Sequence, residues 1–135
     1  MKPFRADLHI HTLLSPCGSL EMSPAAVVSR ALEKGLDIIA VSDHNSTLHC
    51  ELMVSLGKKA GLTVLRAAEV TSAEEAHCLL LLPDQQSREE FQAWLENHSM
   101  NYPNYPEVFG FQVVVDADEI IVREIDNFLP AALSA

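Results

Sequence analysis

Four histidines and one glutamate fall where extended segments of this chain begin or end: His9, His11, His44, Glu69 and His77. In Asp7-Leu-His-Ile-His-Thr12 two histidines stand two residues apart. Side chains on a strand alternate faces, so His9 and His11 point the same way and can chelate one cation together. His44, within Ser42-Asp43-His44-Asn45, arrives directly after the apolar run that begins at Asp37. Glu69 arrives in the same manner after Thr63 to Ala68. An ionised carboxylate there is costly to bury unless it is paired or binds a metal, and it can bridge two cations. His77 opens its apolar run instead of closing it. To reach the same rim it needs a strand running the other way, or the segment Val70 to Ala76 folded over the site. Taken singly, each residue has an ordinary structural reading. Three aligned arrivals of His, His and Glu after successive strands are not explained by core packing, and the chemistry expected is that of a metal centre.

The elements that must carry these residues alternate between strand and helix. A short strand is expected over Ala6–Thr12, then a helix over Pro24–Lys34 with Ser23 as N-cap, Pro24 in its first position and Gly35 at its close. The continuous apolar run Asp37–Ser42 reads as a strand buried on both faces. A helix from about Thr47 to Ala60, with Leu48, Leu52 and Leu56 in step, ends at Gly61 and leads to a strand over Thr63–Ala68. His77–Leu82 is a further strand, stopped by Pro83, and Ser87–Asn97 has helical spacing with Phe91, Trp94 and Leu95 on one side. Asn101–Gly110 reads as an irregular loop and Phe111–Val115 as a short strand, while Glu119–Phe128 is ambiguous. The order β-α-β-α-β-β-α predicts an α/β fold, a largely parallel sheet or a segment of a barrel, in which sites form at the C-terminal ends of strands.

Composition sets the outer bounds. With 135 residues, 48% of them apolar and 21% charged, the chain is expected to be one globular domain or part of one. A formal charge of −10 provides no basic stripe for a phosphate backbone, so long nucleic acid is a poor partner, although bound cations can reverse the sign locally. The start of the chain lacks the apolar core of a signal peptide and no segment is long enough to span a bilayer, so the cytoplasm is the expected location. Three cysteines, Cys17, Cys50 and Cys78, with no CxxC spacing indicate reduced thiols, the latter two read as packing residues. His49 and His98 are read as surface or core-edge side chains.

The motifs Asp7-Leu-His-Ile-His-Thr12, Val41-Ser-Asp-His-Asn45, Glu69-Val-Thr71 and Ala76-His-Cys78 resemble the first motifs of PHP-domain phosphoesterases. The resemblance implies that residues 1–135 are the N-terminal portion of a distorted (β/α)7 barrel and lack the last strands and ligands of the full barrel. It implies two or three divalent ions, zinc, manganese or iron, and a small phosphorylated substrate such as a phosphomonoester or nucleotide. By motif position His9 and His11 bind a first metal, Glu69 bridges two, His77 binds the second and His44 a third. Glu69 and Asp43 are the expected catalytic carboxylates, with Asp43 and Asp7 orienting the histidines. Many relatives carry an aspartate after the HxH pair where this chain reads Ser15-Pro-Cys-Gly18, which makes Cys17 a candidate thiolate ligand. Arg5, Lys34 and Arg66 are candidate phosphate contacts by proximity in sequence alone. The alternative expectation is a metal-binding or regulatory module without turnover. A part-barrel also predicts self-association, or a second chain covering its open strand edge.

Overall fold

Asp37 to Val41 carries four consecutive apolar residues after its first position, and such a run is stable only between covered neighbours. In the computed structural model of the protein, which describes residues 3–134, this run becomes the inner strand β2 (Ile38–Val41). It pairs in parallel with β1 (Ala6–Ile10) on one side and β3 (Thr63–Thr71) on the other. β4 (His77–Leu82) then pairs antiparallel with β3, which gives a sheet ordered β1-β2-β3-β4. The expectation of a largely parallel sheet therefore holds for three strands, and the fourth runs in the reverse direction that His77 needs to reach the site.

The first two helices share a core with the sheet. α1 (Pro24–Glu33) starts where the Ser23 hydroxyl accepts a hydrogen bond from the Ala26 amide at 3.2 Å, with Pro24 in the first turn. Its Val27, Val28 and Ala31 pack with Ile39, Val41 and Val64 of the sheet. α2 (Cys50–Ala60) closes with Gly61 in the left-handed conformation, φ +79°. It begins three residues later than its leucine spacing suggested, because Thr47 to His49 form a buried turn that serves the site below. Its buried face is Cys50, Met53 and Gly57, while Leu48, Leu52 and Leu56 lie only half-buried at the margin.

α3 (Gln85–His98) is capped by the Asp84 carboxylate, which accepts from the Ser87 amide at 2.8 Å. It buries Gln92 and Leu95 and leaves Trp94 exposed. The expected loop after it contains one helical turn, α4 (Pro106–Phe109), followed by the antiparallel pair β5 (Val113–Val115) and β6 (Ile121–Glu124), the latter inside the stretch whose sequence was ambiguous. Val113 and Val115 close on Leu13 in a second small core. Asn45 ties the C-terminal segment down, its amide donating to the Leu129 and Ala131 carbonyls at 2.7 and 2.8 Å. No helix among the described residues is long and apolar enough to cross a membrane.

Candidate metal centre

β1, β2 and β3 all run the same way, so their C-terminal ends open onto one rim. His9 lies on β1 and His11 just beyond it, since the strand ends at Ile10 and not at Thr12 as its sequence suggested. His44 follows β2 and bridges to Glu69 near the end of β3. His77 is the first residue of β4, paired with Thr71 and on the same sheet face as Glu69. The reversed strand thus returns a histidine to the rim that a parallel strand would have sent to the opposite end.

The side chains converge on Glu69. One carboxylate oxygen, Oε2, is 2.9 Å from Nε2 of His9, 2.9 Å from Nε2 of His11 and 3.6 Å from Nδ1 of His44. The other, Oε1, is 2.7 Å from Nδ1 of His77. Nε2 of His9 and Nε2 of His11 are themselves 3.2 Å apart. Two imidazole nitrogens bound at about 2.1 Å to one cation lie about 3.0–3.4 Å apart, so this spacing suits shared ligation. His44 is buried, and its Nδ1 has no hydrogen-bond partner among the described residues. An unpaired buried nitrogen facing a carboxylate is costly in a folded protein and is satisfied by a cation between them.

Among the described residues, three sets of three side chains have ligand atoms within 4.8 Å of one another: His9, His11 and Glu69; His44, Glu69 and His77; and His11, Cys17 and His44. Glu69 belongs to the first two sets, and the imidazole, carboxylate and thiol donors are those that divalent transition ions take. The protonation states agree with that chemistry. Burial, and then the neighbouring His11, lower the pKa of His44 to about 4, which leaves a neutral ring with a free lone pair at pH 7. Burial alone would raise that of Glu69, but hydrogen bonds with His9 and His77 outweigh it and hold the carboxyl at about 2.

The structure brings together His9, His11, His44, Glu69, His77 and Cys17. Asp43 is buried one layer beneath and touches none of the imidazoles that meet Glu69. Its Oδ1 accepts from the Thr12 amide at 2.7 Å and the Ser15 hydroxyl at 2.8 Å, and its Oδ2 from the Thr12 hydroxyl at 2.8 Å. Asp7 accepts from the backbone amide of His9 and from no histidine ring. Arg66 points to the helical face, held by Glu51 at 2.6 Å, and is thereby removed as a phosphate contact. Lys34 lines a groove between β1 and α1 that His9 and His11 also border. Cys78 is exposed, not packed, whereas Cys50 is fully buried. His49 is not a surface residue: it is 1% exposed and bonded at both ring nitrogens. Ser15 and His49 were not among the candidates, and Ser15 bonds directly to His11.

The PHP domain family model matches residues 7–123, a span that contains every one of these side chains. This chain belongs to the PHP family. An uncharacterized protein of Methanocaldococcus jannaschii is 32% identical over 79 residues, covering 52% of this chain and 46% of that protein. A crystal structure from Bifidobacterium adolescentis, of a protein provisionally named a metal-dependent phosphoesterase, superposes with a TM-score of 0.59 at 27% identity, over 73% of this chain and 34% of that one. The chain thus spans less than half the length of either protein. The four-stranded sheet is part of a PHP-type barrel, and the α/β assignment made from the order of elements stands.

Proposed function

We propose that this PHP chain contributes to the metal-dependent hydrolysis of a small phosphoester, a phosphomonoester or nucleotide. The observation that carries the reading is Glu69, a buried carboxylate whose two oxygens face different histidines, His9 and His11 on one side and His77 on the other. In this reading His9, His11 and Glu69 hold one divalent ion, and Glu69, His44 and His77 hold a second. His11, His44 and Cys17 offer a third position. When bound, zinc, manganese or iron ions make water acidic enough to furnish a nucleophile at neutral pH and offset the charge of a phosphate.

The protein's own residues supply the rest. Glu69 keeps two sets of nitrogens at a common distance from one carboxylate, and its low pKa keeps it ionised across the physiological range. Neutral His44 offers a lone pair without first losing a proton. Asp43 acts by holding Thr12 and Ser15, which makes it a positioning carboxylate and not a group in contact with substrate. The acidic chain repels extended polyanions, which restricts the substrate to a small ester.

A second reading, a metal-binding or regulatory module without turnover, is favoured by the share of its relatives that the chain spans, 46% and 34% of the two proteins above. Elemental analysis of protein purified without added metal, paired with turnover of small phosphate esters after manganese or zinc is restored, separates the two. Two or more ions per chain with turnover abolished in His9→Ala and Glu69→Ala supports hydrolysis. Metal without turnover supports the module, and no metal under either condition sinks both.

A further inference from the structure

His49 is a buried imidazole outside the metal centre, and both of its ring nitrogens are engaged. Nε2 lies 3.0 Å from the backbone amide nitrogen of Val115 on β5. A backbone N–H can only donate, so Nε2 must carry the lone pair and the ring proton must sit on Nδ1. Nδ1 is 2.7 Å from the Thr12 hydroxyl and therefore donates to it. The hydroxyl in turn has only one proton, and it passes to Oδ2 of Asp43 at 2.8 Å.

The same logic runs through the other carboxylate oxygen. Oδ1 of Asp43 accepts the Ser15 hydroxyl proton at 2.8 Å. The Ser15 oxygen is then an acceptor for its remaining neighbours, the His44 amide at 3.0 Å and Nδ1 of His11 at 3.0 Å. His11 must carry a proton on Nδ1, so Nε2, which faces Glu69 and His9, is the ring nitrogen left to a cation. Thr12, Ser15 and His49 are each no more than 1% exposed and Asp43 is 2% exposed, so water does not compete for these bonds.

We propose that Ser15, its own hydroxyl proton committed to Asp43, is a positioning residue that fixes the tautomer and ring orientation of His11, and that the Val115 amide, through His49 and Thr12, holds Asp43 in place from its other oxygen. The inference rests on the metal-centre reading only in what Nε2 of His11 is for. Its claim about protons is independent. Ser15 acts directly, while His49 acts through Thr12 and Asp43, so removal of Ser15 has the larger effect.

Two-bond proton–nitrogen NMR of the metal-free protein reads the tautomer of each histidine and needs no variant. The expected result is a proton on Nδ1 of both His49 and His11 near pH 7.5. An Nδ1 without its proton on either ring overturns the relay. In Ser15→Ala, checked for retained fold by circular dichroism, His11 is expected to lose its single tautomer and zinc affinity to fall roughly 10- to 100-fold. His49→Leu is expected to lower zinc affinity several-fold, and if it does not fold, the wild-type spectrum and Ser15→Ala still decide. An unchanged His11 spectrum with unchanged zinc affinity in Ser15→Ala sinks the proposal. Wild-type protein that binds no zinc defeats the metal-centre reading instead, and the spectra alone then decide the relay.

Discussion

At the scale of single residues, the centre depends on few atoms, each with a defined task. Glu69 is the most demanding, because both of its oxygens are needed in their ionised form. Glu69→Gln keeps the shape and replaces one oxygen by a donor that faces imidazole nitrogens. Metal affinity is expected to fall at least 10-fold, measured by competition with a chromogenic chelator. Cys17 provides a separate test, since its ligand atom lies within 4.8 Å of those of His11 and His44. Cobalt-loaded protein is expected to show thiolate-to-metal charge-transfer absorption in the near ultraviolet that Cys17→Ser lacks. An identical spectrum in the variant removes Cys17 from the ligand set. The His9 and His11 pair was legible from the two-residue alternation of a strand, even though His11 lies one residue past its end. Ser15 and His49 were not legible, because a hydrogen bond between Ser15 and Asp43, 28 positions apart, leaves no local trace.

At the scale of elements, the rim is held by close packing between α2, β3 and the turn after β1. Gly57 of α2 approaches β3 so closely that an added Cβ would stand 2.4 Å from Cγ2 of Val64 and 2.8 Å from the Leu62 carbonyl. Gly57→Ala must push the helix off the strand that carries Glu69, and it is expected to destabilise by about 1–3 kcal/mol. Gly18 has a comparable role near the site, where a Cβ would lie 2.2 Å from the Thr12 carbonyl oxygen. Gly18→Ala is expected to disturb the Ser15 turn and weaken metal binding together with stability, measured by titration and thermal melt. Helix and strand types were readable from apolar spacing, with Ser23 and Gly61 marking two of the helix ends. The start of α2 was not readable, because Thr47, Leu48 and His49 fit a helical pattern but are held in a turn. Thr47 is fixed there by Gln92 of α3, at 2.7 Å through its amide and 2.9 Å through its hydroxyl, and His49 by Val115.

At the scale of the whole molecule, a cluster of imidazoles around one carboxylate makes stability depend on pH and on metal. His44 titrates near 4 in the folded protein against 6.5 ordinarily, so the unfolded chain binds more protons between those values. Stability of the metal-free protein is therefore expected to fall as pH drops from about 6.5 towards 4. Glu69, near 2 against an ordinary 4.5, is shifted in the same direction. Its contribution is present above 4.5 and is lost as pH falls from 4.5 towards 2. Melting temperatures at pH 7.5, 5.5 and 4 are expected to decline in that order. Metal bound only by the folded state adds about 2.7 kcal/mol at a free concentration 100 times Kd, worth several degrees in the melt. A chelator should reverse that gain.

Residue types and their spacing were enough to determine the α/β order and the ligand candidates, because strand alternation and apolar runs are local properties written in adjacent positions, and the family followed from the resemblance of four short motifs. Tertiary structure decided what depends on distant pairing. The antiparallel return of β4 brings His77 to Glu69, and the packing of α2 on β3 turns Arg66 away from the rim. The folding of β5 over Leu13 places a backbone amide against His49. Each of these is a contact between segments far apart in the chain, and its geometry exists only once the sheet has closed around it.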